Sequence, residues 1–170
     1  NDAAAGDTWG TAKRSVQAAV AAAASRGGEV RVAAGTYHER VLLPAFVYLY
    51  GGFAGTESAL AERQIDANPT ILNGGGSPTV VLSANAGYMV SGIDGFIIEG
   101  GGVFSGGGFG ITPTQGLGGG IYSRVTSLWI ESNVVRRNSI GTPFAAYYAQ
   151  GGGIAGFLSH STMRHNLIVE

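Results

Sequence analysis

The strongest constraint on the fold is a repeat of 33 residues in the last third of the chain. The sequence Gly-Gly-Gly-Ile at 118–121 recurs at 151–154, and the short apolar segment before Asn133 recurs before Asn166. Repeats of about 20–45 residues are typical of solenoids, in which each unit buries its apolar face only against its neighbours. Because the repeated segments contain strand-forming residues and lack helical periodicity, the repeat predicts an all-β parallel β-helix.

The repeat also predicts which residues lie above one another on neighbouring coils, whose strands are about 4.8 Å apart. Asn133 is expected over Asn166, in an internal asparagine ladder at a corner of the solenoid. The other pairs expected from the same offset are Ile130 with Met163 and Val135 with Ile168 in the interior, and Glu131 with Arg164 and Arg137 with Glu170 as opposite charges. One coil earlier, Gly95 is expected at the asparagine position, with Ile97 over Val135.

The N-terminal residues 1–28 are predicted to cap the solenoid. An alanine-rich helix is expected at 12–25, with Thr11 as its N-cap and a narrow apolar stripe that contains Val16 and Val20. A solenoid needs such an element to shield its first coil. The chain is therefore interpreted as one domain, with the cap followed by coils.

Coils are predicted over 29–170. Runs of β-branched and aromatic residues bounded by Gly, Asn and Pro predict strands at 29–33, 46–50, 70–72, 79–82, 88–90 and 95–99. Residues 34–36 are predicted to form a turn.

Composition argues against several functions. The net charge of −1 disfavours nucleic acid as a partner, and no apolar run approaches the ~20 residues of a membrane span. The chain has no cysteine, and His160 and His165 should point to opposite faces of a strand, so neither a metal nor another cofactor is expected. No carboxylate pair of the kind used by glycoside hydrolases is evident, and Asp94 is interpreted as a turn residue.

Two loops are predicted where the coils carry extra residues, at 101–117 and 139–150, and both should project from the same side. Loops on a rigid scaffold commonly carry function. The candidate ligand-contacting residues are the loop aromatics Phe104, Phe109, Phe144, Tyr147 and Tyr148 together with Tyr122, Arg124, Arg136 and Arg164. In the alternative interpretation the rings only cover an outward apolar stripe of Phe96, Val134 and Leu167.

A resemblance to a known family is carried by segments spread along the chain. They are Trp9 with 15–19, the strand and turn at 29–37, Tyr-Gly-Gly-Phe-Ala-Gly-Thr-Glu at 50–57 with Arg63, Asn-Pro-Thr-Ile-Leu-Asn-Gly at 68–74, 94–98, and the two Gly-Gly-Gly-Ile runs. In this order they resemble the N-terminal part of secreted bacterial right-handed parallel β-helix proteins of the pectin-lyase-like superfamily. The nearest group is surface-associated and also resembles polymorphic outer-membrane proteins.

The resemblance implies a secreted or cell-surface protein, and 1–170 as the N-terminal part of a longer one. It leaves three functions open, because this fold hosts several activities. The first is a non-catalytic scaffold for surface adhesion or for contact with a polysaccharide. The second is a polysaccharide lyase or glycoside hydrolase whose groove uses Tyr122, Arg124, Arg136 and Arg164. The third is a self-assembling stalk, since an uncovered last coil predicts either further coils or end-to-end pairing of copies.

Overall fold

The structure is a computed structural model, and it describes residues 1–77, 79–84, 87, 89–102, 119–139 and 152–169. In this part of the chain the strands form three parallel sheets, which we name A, B and C. Sheet A contains β1 (Gly28–Ala33), β4 (Val47–Phe53), β7 (Val90–Asp94), β10 (Ser127–Glu131) and β13 (Thr162–Arg164). Sheet B contains β2 (Gly35–His38), β5 (Thr70–Ser77), β8 (Ile97–Gly101), β11 (Val134–Val135) and β14 (Leu167–Ile168). Sheet C contains β3 (Val41–Leu42), β6 (Val81–Ala84), β9 (Ile121–Arg124) and β12 (Ile154–Phe157).

Successive strands enter sheets A, B and C in turn, and each strand pairs in parallel with the strand three places further along the chain. One turn of the chain therefore adds one strand to each sheet. This is the topology of a parallel β-solenoid, and it agrees with the predicted all-β fold.

The 33-residue register of the last two coils is confirmed. The pairs Ile121 with Ile154, Ile130 with Met163, Glu131 with Arg164, Val134 with Leu167 and Val135 with Ile168 are Cα partners in adjacent strands. Arg137 with Glu170 lies partly outside the described residues. The asparagines also stack as expected from this register, because Oδ1 of Asn166 accepts a hydrogen bond from Nδ2 of Asn133 at 3.1 Å.

The register predicted one coil earlier is wrong by one residue. Ile97 pairs with Val134 and not with Val135, so that Phe96 occupies the asparagine position. The reason is the corner conformation: Ser132 has a φ of 53° and Gly95 a φ of 80°, so both are left-handed and both precede the asparagine position. Gly95 therefore takes the place of Ser132 and not that of Asn133.

The interior is filled by aliphatic side chains stacked from coil to coil. In sheet A the buried row runs through Val30, Leu49, Ile93 and Ile130, all of which lie in one hydrophobic core. Phe96 is also buried. The alternative prediction, which placed Phe96 in an outward apolar stripe, is therefore wrong for this residue. Met163 and Ile168 were expected in the interior but are exposed, because among the described residues their coil has a neighbouring coil on one side only.

The predicted N-terminal helix is present but shorter. Helix α1 spans Val16–Ala23, and its N-cap is Ser15, whose side chain accepts the N–H of Ala18. Thr11 instead ends a short 3-10 turn, Trp9–Thr11, where it bonds with Thr8 in a capping box. Val16 and Val20 are buried, and α1 packs against β1 and β3 of the first coil.

Several strand boundaries differ from the predicted ones. Residues 35 and 36, predicted in a turn, begin β2, and β3 was not predicted at all. Strands β5 and β7 extend further than expected, to Ser77 and Asp94. A segment as short as β3 has too few residues to show the sequence pattern of a strand. It is a strand because it pairs with a strand of the neighbouring coil. No helix in the described ranges is long and apolar enough to cross a membrane.

Candidate functional site

Sheet A presents two outward rows of side chains, which alternate with the buried row because successive strand residues point to opposite faces. The first row is Glu29, Tyr48, Gly92, Trp129 and Thr162, and the second is Arg31, Tyr50, Asp94, Glu131 and Arg164. We call this surface the sheet A face. It is the place where the described residues bring aromatic, acidic and basic side chains together.

An open groove of about 530 Å³ lies on this face. We call it the Tyr48–Trp129 groove, and its lining residues are Tyr48, Val90, Ser127, Leu128, Trp129, His160, Thr162 and Arg164. Tyr48 and Trp129 are both Cα partners of Gly92, on opposite sides, so they lie two strand spacings or about 10 Å apart.

Gly92 makes room for the tyrosine ring. A Cβ at this position would lie 2.8 Å from Cδ1 of Tyr48, closer than real Cβ contacts. The ring of Tyr48 therefore lies over the backbone of β7, and its position depends on the missing side chain. A larger residue here would push Tyr48 out of its place in the groove.

Beside the groove, Asp94 connects sheet A to the segment that follows β4. Its Oδ2 accepts a hydrogen bond from Nη2 of Arg63 at 2.6 Å, and the guanidinium of Arg63 lies 5.4 Å from the centre of the Tyr50 ring. Burial raises the pKa of Asp94 above its ordinary value, while Arg63 opposes the rise and the charge of Glu131 adds to it. Asp94 thus holds Arg63 and the chain around it against the solenoid.

Glu131 lies directly between Asp94 and Arg164 in the second row. The register of Glu131 and Arg164 is as predicted, but the side chain of Glu131 contacts the next residue: its Oε1 lies 3.3 Å from Nδ1 of His165. The neighbouring carboxyl groups of Asp94 and Glu131 are a juxtaposition that the sequence did not reveal. They lie 37 residues apart, a spacing that the 33-residue repeat does not predict.

Four of the predicted ligand-contacting residues lie in the described part of the chain, and they are spread over different sheets. Tyr122 is buried on β9 of sheet C, where burial raises the pKa of its hydroxyl. Arg124 lies on the same strand, and its buried Nε has no hydrogen-bond partner among the described residues. Arg136 follows β11 of sheet B and pairs with Glu99 at 2.9 Å. Of these four described residues, Arg164 alone lines the groove. The loop aromatics Phe104, Phe109, Phe144, Tyr147 and Tyr148 lie outside the described residues.

Neither aromatic ring of the groove was predicted from the sequence as a ligand-contacting residue. Ile130 was predicted in the interior, so the alternation of side chains along a strand would have placed Trp129 on the outward face. Tyr48 could not be placed in this way. The segment between β4 and β5 changes the number of residues that separate Tyr48 from its partner on the next coil. The stacking of Tyr48 over Gly92 became visible only with the strand register.

In the parts of the chain that the structure describes, no group of three or more acidic or histidine side chains is placed to hold a metal ion. Comparison with known proteins adds no assignment: no family model matches the chain, and neither a curated protein nor a solved structure shows significant similarity to it. The functional interpretation therefore depends on the sheet A face.

Proposed function

We propose that this chain is an extracellular, non-catalytic β-solenoid of the right-handed, pectin-lyase-like type, capped by α1, and that it contacts polysaccharide through the Tyr48–Trp129 groove. The observation that carries the binding site is the pair of aromatic side chains on alternate coils, on either side of Gly92. The cyclic order of three parallel sheets supports the solenoid type. The extracellular setting follows from the sequence resemblance alone.

The groove has the chemistry that a sugar chain requires. A pyranose ring has one face of C–H groups, which packs on aromatic rings, and a rim of hydroxyl groups, which need donors and acceptors. Tyr48 and Trp129 offer the apolar surfaces, while Ser127, Thr162 and Arg164 supply polar groups along the same groove. Because the groove is open, a linear chain can cross it without having to end there.

The rigidity of the site favours binding. Both rings project from strands of a continuous parallel sheet, so their spacing is fixed by backbone hydrogen bonds before any ligand arrives. None of the described lining residues of the groove is a carboxylate, the group that glycoside hydrolases use in pairs. A binding role therefore fits the groove better than hydrolysis by a carboxylate pair does.

The test is binding to an array of plant, algal and bacterial polysaccharides, followed by calorimetry with the strongest binder. Trp129→Ala and Tyr48→Ala are each expected to weaken binding at least about tenfold, which corresponds to about 1.4 kcal/mol. Phe157→Ala is a matched control, because Phe157 is an exposed aromatic residue on sheet C. Equal losses in all three variants, or no binding to any polysaccharide, would reject the proposal.

A glycoside hydrolase is the alternative that one observation favours. Asp94 and Glu131 are Cα partners on adjacent strands, and burial raises the pKa of Asp94, as a general acid requires. Against it, Asp94 is buried and one of its oxygens is already bonded to Arg63. Turnover of a polysaccharide that is abolished by both Asp94→Asn and Glu131→Gln would establish this alternative.

A further inference from the structure

The Tyr48–Trp129 groove runs along the axis of the solenoid, across the strands. Its described lining residues come from four of the five strands of sheet A or from the segments beside them. Tyr48 and Trp129 both pair with Gly92, and Thr162 pairs with Trp129 on the following coil. These four residues therefore form one row with one member on each coil, and a ligand that fills the groove lengthwise crosses the coils one after another.

Polar side chains lie on both sides of this row. Along β10, Ser127, Trp129 and Glu131 face outward in alternation with buried residues. Residues two positions apart on a strand are separated by about 7 Å, so Trp129 has a hydroxyl group on one side and a carboxylate on the other. One repeat further along the chain, His160 and Arg164 line the groove at the positions that correspond to Ser127 and Glu131. The groove is thus aromatic along its middle row and polar beside it.

A chain of pyranose sugars with β-1,4 linkages, as in cellulose, has the matching shape. Because both bonds at each linkage are equatorial, the sugar rings follow one another in a flat, extended ribbon. The two faces of the ribbon carry C–H groups and its two edges carry hydroxyl groups, so the faces suit aromatic rings and the edges suit hydrogen-bonding side chains. Chains with α-1,4 or β-1,3 linkages coil into helices, so their successive rings do not all lie on one flat row of side chains.

The repeat of such a ribbon also fits the repeat of the solenoid. Neighbouring coils are about 4.8 Å apart, and a sugar ring in an extended chain advances by a similar distance. When one sugar lies on Tyr48, the next therefore passes Gly92 and the third reaches Trp129. Gly92 has no side chain to separate the two rings, and the edge of the Tyr48 ring lies where a Cβ would be.

We propose that the groove binds a β-1,4-linked glycan that lies parallel to the solenoid axis, with its first and third sugars on Tyr48 and Trp129. This inference rests on the proposed function, to which it adds the linkage of the glycan and the direction in which it lies. Beside the rings, Ser127 and Arg164 exchange hydrogen bonds with hydroxyl groups at the two edges of the ribbon.

Calorimetry with hexasaccharides of different linkage tests the preference. The β-1,4-linked set is cellohexaose, xylohexaose and chitohexaose, and the comparison set is laminarihexaose (β-1,3) and maltohexaose (α-1,4). At least one of the first set should bind at least about tenfold more tightly than both of the second. Equal or tighter binding of the comparison set, if lost in Trp129→Ala, overturns this inference and leaves the proposed function standing. Absence of binding to all of them overturns the inference, while the polysaccharide array decides separately on the proposed function.

The length of the oligosaccharide tests the direction of the chain. A trisaccharide is the shortest ligand that reaches both rings, so it should bind at least about tenfold more tightly than the disaccharide. Trp129→Ala should abolish this gain, and the control Phe157→Ala should keep it.

A gain of binding tests the same direction without the loss of a side chain. Thr162 is exposed and follows Trp129 in the row, so Thr162→Trp adds a ring below the fourth sugar. The variant should bind the tetrasaccharide more tightly than the trisaccharide, by at least about threefold, whereas the unchanged protein should show a smaller difference. A gain from two to three sugars that survives Trp129→Ala, or no added gain in Thr162→Trp, would overturn the axial arrangement.

Discussion

The carboxylate of Glu39 binds the first turn of α1: it accepts the backbone N–H of Val16 and that of Gln17, each at 2.8 Å. These N–H groups have no partner inside the helix, and the negative charge lies at the positive end of the helix dipole. The side chain of Gln17 in turn accepts the N–H of Leu42 at 2.7 Å. The first coil thus fixes the start of the helix that packs on it.

Glu39→Ala should therefore destabilise the protein. Removal of both acceptors leaves two N–H groups at the start of α1 without a partner, which costs about 0.5–2 kcal/mol for a helix cap. Urea unfolding measures the change. Glu29→Ala is the control, because Glu29 is exposed and makes only a surface ion pair with Arg31, worth about 0–1 kcal/mol. Equal losses in the two variants would show that the contact with α1 does not matter.

Val20→Asp tests whether α1 shields the first coil. Val20 is fully buried, so the substitution places an unpaired charge in the core and should cost several kcal/mol. Ala21→Asp puts the same charge on the exposed side of the helix and should have little effect. Thermal melting followed by circular dichroism distinguishes the two. Similar melting temperatures for both variants and the unchanged protein would mean that the helix does not cap the solenoid.

Asn133→Ala should be more damaging than Asn166→Ala. Asn133 is buried, its Oδ1 accepts the N–H of Phe96 at 3.0 Å, and its Nδ2 donates to the carbonyl of Ile93 at 3.0 Å. Loss of these bonds leaves buried polar groups on the neighbouring coil without a partner, which should lower the free energy of unfolding by about 1–3 kcal/mol. Asn166 is only partly buried, so its loss should cost less. Denaturant unfolding that ranks the two variants in the opposite order contradicts the ladder.

Glu57 should make stability depend on pH in the acid range. Hydrogen bonds from the backbone N–H groups of Ala54, Gly55 and Thr56 lower its pKa from 4.5 to about 2. The carboxyl group of Glu57 therefore binds a proton more tightly in the unfolded chain than in the folded one. Its contribution to the free energy of unfolding is complete above pH 4.5 and is lost as the pH falls towards 2.

The corresponding experiment compares the unchanged protein with Glu57→Gln by urea unfolding over this interval. The difference between their urea midpoints should be largest above pH 4.5 and should shrink as the pH approaches 2. A difference that stays constant with pH would mean that the carboxylate does not hold the turn at Ala54–Thr56 in solution. Glu57 also accepts a bond from Trp9 through its backbone carbonyl, which the substitution leaves in place.

The fold could be predicted from sequence because the repeat is itself a physical consequence of stacking. Asn133 and Asn166 meet because equivalent residues of successive coils must lie one strand spacing apart. The predicted register was wrong in the coil before the repeat, where the spacing between equivalent residues is not 33. Gly95 was matched to Asn133, since sequence does not show which corner residue takes the left-handed conformation.

The site was less predictable than the fold. Tyr48, Gly92 and Trp129 belong to three strands joined by segments of different length, so no regular spacing connects them. The predicted arginines are also far apart in the fold, since Arg124 lies on β9 of sheet C and Arg136 follows β11 of sheet B. Side chains on the same face of a solenoid become neighbours through strand register, which only the folded chain provides.

The central claim is that polysaccharide contacts Trp129, and the indole N–H signals of a nitrogen-15 labelled sample test it directly. The chain has two tryptophans, and Trp9 is an internal control, since its Nε1 is bonded to the carbonyl of Glu57 at 2.9 Å, away from the groove. On titration with an oligosaccharide from the strongest array binder, the Trp129 signal should shift in a saturable manner while the Trp9 signal stays in place. Binding by calorimetry without any change at Trp129, or with a change at Trp9 alone, would contradict the account.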